Sequence, residues 1–343
     1  MRTMVLGALA AALIASATCV PVLAQADVAD FYRGKTITVV NGGGVGGGSS
    51  VYAQVIAPIM QKYMPGNPSF VFQHMPGAGG ARAANFMYSA AAQDGTALLR
   101  PLQEMPLWAL LGAPGLKYDA VRFQYLGGAY VARSTISVLK SKTRVRTLED
   151  ARHTEVIVAA GGKASQPYMY PTLANALAGT KFKLVTGYPG TGAMNIAMER
   201  GEVHGRAGSW NSFKGAMPHW VEKDLLSNLA VIGPDREPDL PDVPLLTEFI
   251  TDPTDRKLME VVASTALFGH AWIAPPNVPT ERVAALRDAL DKTLKDPELI
   301  SQFKMRNAEL SVVSWQQQQE AVEKLFKVDQ TAIERLRSVL DLQ

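Results

Sequence analysis

Four times along this chain, a short β-rich run leads through a glycine-containing turn into a helical stretch. The four runs start at Thr36, Ser69, Val156 and Phe182. A strand that passes through a turn directly into a helix is the repeating unit of parallel α/β sheets. The pattern therefore predicts an α/β fold with parallel or mixed sheets. The last third of the chain has helical periodicity and adds helices to that scaffold.

The same turns predict where a ligand binds. In open α/β sheets, ligands lie beyond the carboxyl ends of the strands, where helices begin. The first turn of a helix has unpaired N–H groups and the positive end of the helix dipole, and glycine lets a ligand approach the backbone closely. From Phe31 to Gln93 the chain has no Asp or Glu but has four Lys and Arg residues. We therefore expect a site for a small carboxylate.

The first 26 residues have the pattern of a cleavable signal peptide. A cationic start at Arg2 precedes an apolar run from Val5 to Ala17, and Ala24-Gln25-Ala26 provides the small-x-small site of a signal peptidase. Cleavage there leaves 317 of the 343 residues, which suits two domains, and removes Cys19, the only cysteine. We therefore predict export, with the periplasm as the compartment.

One enzyme alternative comes from the first glycine turn. Gly42, Gly44 and Gly47 match the G-x-G-x-x-G fingerprint of dinucleotide-binding proteins, so an NAD-dependent oxidoreductase stays an alternative. That fingerprint needs an acidic residue roughly 20 positions later for the ribose hydroxyls. The next acidic residue is Asp94, which is too far along the chain. We therefore expect no cofactor.

Other catalytic and binding patterns are missing from the sequence. The five histidines have no paired spacing for a zinc site or a catalytic triad. Two S-x-x-K matches, at Ser137 and Ser301, lack the S-D-N and K-T-G segments that accompany this motif, and there is no G-x-S-x-G. The net charge of +3 is spread along the chain, which disfavours nucleic acid as a partner. We expect a binding protein without a metal rather than an enzyme.

The order of several short segments resembles the tripartite tricarboxylate transporter receptors, the Bug family. The segments are Thr36-Ile37-Thr38-Val39-Val40 with Gly46-Gly47-Gly48, Met75-Pro76-Gly77-Ala78-Gly79-Gly80, Asp94-Gly95-Thr96, Tyr188-Pro189-Gly190, Gly201-Glu202-Val203, Leu240-Pro241-Asp242-Val243-Pro244 and Ile273-Ala274-Pro275-Pro276. The resemblance implies a type II periplasmic binding protein, whose two lobes are joined by two crossing strands and close on a small organic acid. It also implies delivery of that acid to membrane permease subunits. We expect a monomer, and a ligand-sensing receptor for a signalling partner stays an alternative.

The resemblance also implies lobe boundaries and ligand-binding residues. Residues 27–124 and 228–343 would form the first lobe, and residues 125–227 the second. By position in the family pattern, the ligand-binding residues would be Gly46, Gly47, Gly48, Ser49 and Ser50 in the first lobe and Ala164, Ser165, Gln166, Gly190, Thr191 and Trp210 in the second.

Ser50 stands where the family often carries Asp, and this difference generates a prediction. In Ser50→Asp a carboxylate faces the bound acid, so we expect binding to weaken by on the order of 1–3 kcal/mol through like-charge repulsion in a partly desolvated cleft. Ser50→Ala is the control and should cost less, because it removes only a hydroxyl that can cap the following helix. Titration calorimetry measures both affinities. A wild type that binds glutamate or aspartate best would contradict the assignment.

Overall fold

The computed structural model describes residues 27–43, 48–306 and 308–342. The predicted signal peptide lies outside these residues. Among the helices of the described part, none is long and apolar enough to cross a membrane. The strands are β1 (Thr36–Asn41), β2 (Ser69–His74), β3 (Ala97–Arg100), β4 (Gln124–Gly128), β5 (Ser134–Leu139), β6 (Val156–Ala159), β7 (Phe182–Val185), β8 (Gly205–Ser209), β9 (Leu226–Ile232), β10 (Ala271–Ala274) and β11 (Val313–Ser314).

Helices surround these strands along the whole described chain. Residues 27–32 are also helical. The helices with defined bounds are α1 (Gly48–Tyr63), α2 (Ala81–Ser89), α3 (Met105–Leu110), α4 (Leu148–His153), α5 (Gln166–Ala178), α6 (Thr191–Arg200), α7 (Trp210–Ala216), α8 (Pro218–Glu222), α9 (Pro253–Ser264), α10 (Thr280–Leu294), α11 (Pro297–Met305), α12 (Trp315–Leu325) and α13 (Gln330–Val339).

The strands form two mixed sheets. Sheet A has the order β11-β4-β10-β3-β1-β2, and sheet B has the order β7-β6-β8-β5-β9. In sheet A, β1 is parallel to both of its neighbours, whereas β10 runs antiparallel between β3 and β4. In sheet B, β6 is parallel to β7 and β8, and β5 is antiparallel to β8 and β9. The predicted α/β fold with mixed sheets is confirmed.

The four predicted strand–turn–helix units are present in the two sheets. In sheet A, β1 is followed by α1, and β2 leads through a 3₁₀ turn at Ala78–Gly80 into α2. In sheet B, β6 leads into α5 and β7 into α6. Parallel pairing within each sheet places the two turns of each pair at the same edge, beyond the carboxyl ends of the strands.

Each sheet is covered by helices whose apolar faces were visible in the sequence. Ile56 and Met60 of α1 pack with Leu286 and Leu290 of α10 and with Ile37 of β1 in one buried cluster. The spacing of three or four residues along each helix puts these side chains on one face, which is why the helices lie on the sheet.

A second buried cluster joins sheet B to helices from distant parts of the chain. It contains Val138 of β5 and Leu173 of α5, together with Trp108 of α3, Leu258 of α9 and Leu336 of α13. Segments before and after the strands of sheet B therefore complete its core.

The chain passes between the two sheets twice in adjacent segments. It leaves sheet A after β4 and enters sheet B at β5, so residues 129–133 form the first passage. It returns to β10 of sheet A through residues 265–270, and the N–H of Ala132 donates to the carbonyl oxygen of Ala266 at 2.9 Å. The chain thus leaves sheet A after Gly128 and leaves sheet B after Ile232. Both positions are a few residues later than the predicted lobe boundaries at residues 125 and 227. The reason is that β4 pairs with β10 and β9 pairs with β5.

Gly269 lies where these two passages are closest, and the absence of a side chain there permits the close approach. A Cβ at this position would lie 2.5 Å from the Cβ of Ala132 and 2.6 Å from the carbonyl oxygen of Tyr130. We therefore expect Gly269→Ala to lower the free energy of unfolding by about 1–3 kcal/mol, because the passages must separate to admit the methyl group. Gly215→Ala in α7 is the control, since nothing lies within 4 Å of its Cβ position. Urea unfolding compares the variants, and equal midpoints would contradict this account.

Candidate functional site

A cavity of about 400 Å³ lies between the two sheets. Residues that follow β3 line it on one side, residues at the start of α5 line it on the other, and both passages contribute to it. The lining residues are Gly79, Pro101, Leu102, Gln103, Glu104, Tyr130, Ala132, Gly162, Ala164, Ser165, Gln166, Pro167, Ser209, Gly269 and His270. This is the edge of the parallel strands at which the sequence predicts a ligand. A second cavity, of about 550 Å³, lies between α9, α12 and α13, away from these strand ends.

The start of α5 gives one wall of the cavity its polarity. Ser165 is the N-cap residue, but its hydroxyl does not cap the helix, and its buried Oγ has no hydrogen-bond partner. Gln166 is the first helical residue, so its N–H has no intrahelical acceptor, and Pro167 has no N–H at all. Ser165 and Gln166 both line the cavity, so the unpaired hydroxyl, the free N–H and the positive end of the helix dipole lie at its wall, and all three attract an anion.

The structure brings three of the predicted site residues together here. Ala164, Ser165 and Gln166 all line the cavity. Gly48, Ser49 and Ser50 are the first residues of α1, and Gly46 and Gly47 lie outside the described residues.

The start of α1 belongs to the same edge of sheet A as the cavity. The last residue of β1, Asn41, pairs with Arg100, the last residue of β3, and the cavity-lining segment Pro101–Glu104 follows directly. A role for the start of α1 in ligand binding stays a prediction.

The other predicted residues lie away from the cavity lining. Gly190 and Thr191 are exposed at the start of α6, which follows the edge strand β7 of sheet B. Trp210 follows the lining residue Ser209, but its side chain is buried and its Nε1 donates to Oδ2 of Asp239 at 3.0 Å. Trp210 therefore packs into the core behind the cavity.

The cavity contains an acidic residue that the sequence analysis did not identify. The side chain of Glu104 is 6% exposed, and its Oε1 accepts a hydrogen bond from Nε2 of Gln166 at 2.5 Å. Burial raises the pKa of Glu104 to about 7. One signal in the sequence could have drawn attention to it: Glu104 is the only acid between Asp94 and Asp119 and lies four residues after a strand.

His270 is a second lining residue that was missed. Its ring stacks on Tyr52 with centroids 4.0 Å apart, and its backbone has a φ of 49°, a conformation that few non-glycine residues adopt. Burial, with a further contribution from the charge of Arg100, lowers the pKa of His270 well below its usual value. The imidazole is therefore neutral at pH 7. No spacing in the sequence indicated this position, because it depends on how the second passage lies against α1.

Arg100 places a positive charge near the same strand end. Its side chain is fully buried, and its guanidinium lies 5.0 Å from the ring centroid of Trp272. Burial lowers the pKa of Arg100 to about 9, so the group stays cationic at neutral pH. This charge and the α5 dipole make the surroundings of the cavity favourable for an anion.

Several contacts join the two sides of the cleft directly. Gln166 at the start of α5 donates to Glu104, which lies between β3 and α3, and Nδ2 of Asn211 in α7 donates to the hydroxyl of Tyr52 in α1 at 3.1 Å. A Cβ at Gly79 would lie 2.9 Å from the Cβ of Ala164. The two sides are therefore in contact at several points around the cavity.

Comparisons with known proteins identify the fold. No protein-family model and no curated protein matches the sequence. MatC from Rhodopseudomonas palustris with bound malate is 23% identical, with a TM-score of 0.62 over 89% of this chain and 99% of that one. A second R. palustris protein, with adipate, is 21% identical, with a TM-score of 0.65 over 90% and 98%. The periplasmic binding protein BugD is 17% identical, with a TM-score of 0.63 over 91% and 99%.

This chain has the periplasmic binding protein fold. Coverage of nearly the whole of each compared chain includes both sheets, so the similarity extends to the two-lobed arrangement around the cleft. The predicted type II periplasmic binding protein fold is confirmed.

The contact between Gly79 and Ala164 generates a prediction about closure. Gly79→Ala adds a methyl group that meets Ala164 across the cleft, so we expect ligand affinity to fall by roughly tenfold or more. Gly79 also has a φ of 60°, and Gly34→Ala, at a φ of 69° with nothing within 4 Å, controls for the backbone strain alone. Adding Ala164→Gly to Gly79→Ala should restore affinity. Calorimetry on the four proteins checks this, and equal losses in Gly79→Ala and Gly34→Ala would refute the closure argument.

Proposed function

We propose that this chain is a periplasmic solute-binding protein that captures a small organic carboxylate between its two lobes. The observation that carries this proposal is the unpaired Ser165 hydroxyl beside the start of α5, in a cavity between the two sheets. The structures bound to malate and adipate share the fold, and they support a carboxylate as the ligand.

The energies available at this site suit a transport receptor. A carboxylate at the start of α5 gains about 0.3–2 kcal/mol from the helix dipole, and each hydrogen bond to it contributes roughly 1.5–3 kcal/mol. Three such hydrogen bonds and the dipole together contribute about 5–11 kcal/mol before ordering costs, and micromolar affinity corresponds to about 8 kcal/mol within that range. The cavity volume of about 400 Å³ lies within the range of small-molecule sites.

Binding without chemical turnover is part of the proposal. Ser165, His270 and Glu104 all line the cavity, but no hydrogen bond links any two of them. Glu104 is bonded to Gln166, and His270 is stacked on Tyr52, so neither is oriented as a base for the serine. Within the described residues, no group of three or more His, Cys, Asp or Glu side chains could hold a metal ion.

The residues that hold the ligand are proposed to come from both lobes. Ala164, Ser165 and Gln166 would bind it from the start of α5, and the segment 46–50 would bind it from the start of α1. Residues 48–50 begin α1 and residues 164–166 lie at the start of α5, so the described parts of both segments are at helix starts, which supports this assignment.

The wider role follows from the predicted signal peptide and the family resemblance. We propose that the mature chain begins at Asp27, acts as a monomer in the periplasm and delivers its ligand to the membrane permease subunits of a tripartite tricarboxylate-type transporter. An NAD-dependent oxidoreductase has less support, because the segment after Gly42 carries no acid for the ribose before Asp94. A receptor that reports its ligand to a signalling partner would use the same cleft.

Titration calorimetry across a panel of organic acids tests the proposed function. We expect malate, adipate or another small carboxylate to bind with a Kd near the micromolar range, with no change of the ligand and no effect of a chelator. Ser165→Ala should weaken binding by about 1.5–3 kcal/mol, because it removes one hydrogen bond to a charged group. Ser212→Ala in α7, away from the cavity lining, is the control. NAD binding with hydride transfer would refute the proposal.

A further inference from the structure

Glu104 is an unusual residue to find in a site for an anion. It is nine-tenths buried and lines the cavity, and Gln166 donates to only one of its two carboxyl oxygens. Besides Gln166, the carboxyl group has only its own backbone N–H as a hydrogen-bond donor among the described residues, and no described cationic side chain forms an ion pair with Glu104. A buried carboxylate with neither a cation nor a full set of donors is costly, whereas a neutral carboxylic acid is not.

Of the described titratable groups around Glu104, only Arg100 is charged between pH 5 and pH 8, and it forms no ion pair with Glu104. Burial raises the pKa of Tyr130 and of Tyr170, so both side chains stay neutral. The imidazole of His270 is neutral as well. The guanidinium of Arg100, on the strand that precedes Glu104, lies over the indole ring of Trp272. In sequence, residues 44–51 contain no titratable side chain. The titratable groups from the surrounding elements are Tyr130 of the first passage, Tyr170 of α5, His270 of the second passage and Arg100 of β3.

We propose that Glu104 binds the ligand as a neutral acid, donating its Oε2–H to a ligand carboxylate, so that this receptor takes up one proton from solvent with its ligand. The proposal rests on the proposed function. The proton balance is as follows. Free protein with ionised Glu104 takes up one proton when it binds one ligand anion, and in the complex this proton is on Oε2. Gln166 donates to Oε1 in both protonation states, and it thereby leaves Oε2 as the oxygen that faces the ligand.

The physical reason is the contrast between the two protonation states beside an anion. An ionised Glu104 would repel a ligand carboxylate in a desolvated cavity, because no cation among the described residues is paired with Glu104 to neutralise its charge. A neutral Glu104 forms an O–H···O⁻ hydrogen bond, which is short and strong because the acceptor is charged. Burial already raises the pKa of Glu104 to about 7 without ligand, and the bound anion raises it further. Glu104 thereby also selects against a ligand ammonium group, which would need the ionised form.

The test measures affinity against pH with malate and adipate as probes. Above pH 6.5 the carboxyl groups of both probes are ionised, so their own titration does not contribute. From pH 7 to pH 8.5 we expect the Kd of the wild type to rise by about fifteenfold in all, with a slope that approaches tenfold per pH unit only well above the pKa of Glu104. Calorimetry at pH 8, repeated in buffers with different ionisation enthalpies, should show uptake of about one proton per ligand.

Two variants separate Glu104 from other buried acids. Glu104→Gln keeps an acceptor for Gln166 and gives an N–H donor in every pH range, so its Kd should be independent of pH and lower than that of the wild type at pH 8.5. Glu237→Gln is the matched control, because burial also raises the pKa of Glu237 to about 7 but Glu237 does not line the cavity. This control should keep the slope of the wild type.

The outcomes distinguish the two proposals. If a carboxylate binds but its Kd does not depend on pH, or if Glu104→Gln keeps the wild-type slope, the role of Glu104 is overturned and the proposed function stands. Tighter binding of an amino acid such as aspartate as the pH rises would also overturn it, since that requires ionised Glu104. If no carboxylate binds at any pH, the proposed function fails and the ligand role of Glu104 fails with it.

The ligand-free protein supplies an independent readout. The raised pKa of Glu104 means that the folded state binds a proton that the unfolded state releases between about pH 4.5 and pH 7. The contribution of Glu104 to stability therefore falls as the pH rises through that window. The thermal midpoint of Glu104→Gln should decline less than that of the wild type between pH 5 and pH 8. An equal decline would show that Glu104 titrates normally and would overturn its neutral state.

Discussion

The cleft depends on the close packing of two backbone segments that run between the sheets. Residues 129–133 and 265–270 lie side by side, hydrogen-bonded from Ala132 to Ala266, with Gly269 at the closest approach. Because both passages cross at one place, the two sheets face each other along one edge. The same segments contribute Tyr130 and His270 to the cavity, so the connection between the lobes is also part of the site.

The local units of the fold could be predicted from the sequence, and the partners of each unit could not. Strands β1, β2, β6 and β7 and the helices after them follow from alternating apolar runs, glycine turns and helical periodicity, which are short-range signals. The start of α5 was placed in the site because a helix terminus after a parallel strand has a known chemistry. Sheet membership near residues 125 and 227 depends on long-range pairing, which has no local signature.

The side chains that give the cavity its chemical character are the ones that the sequence analysis missed. Glu104 and His270 come from segments 166 residues apart and meet only after both sheets have formed. Neither residue belongs to a sequence motif, and the residues on either side of each do not indicate a binding site. Trp210 shows the converse: it is next to the lining residue Ser209 in sequence, but it begins α7 and its side chain is buried in the core.

The buried cluster around sheet B has a consequence for how the chain reaches its folded state. Leu336 of α13 packs in the same core as Val138 of β5 and Leu173 of α5, although almost 200 residues separate it from β5. Sheet B can form early in synthesis, but its core stays incomplete until the end of the chain arrives. Contacts over so long a separation are slow to form. A chain that emerges from a membrane pore amino terminus first would therefore expose this apolar surface until almost its last residue had crossed.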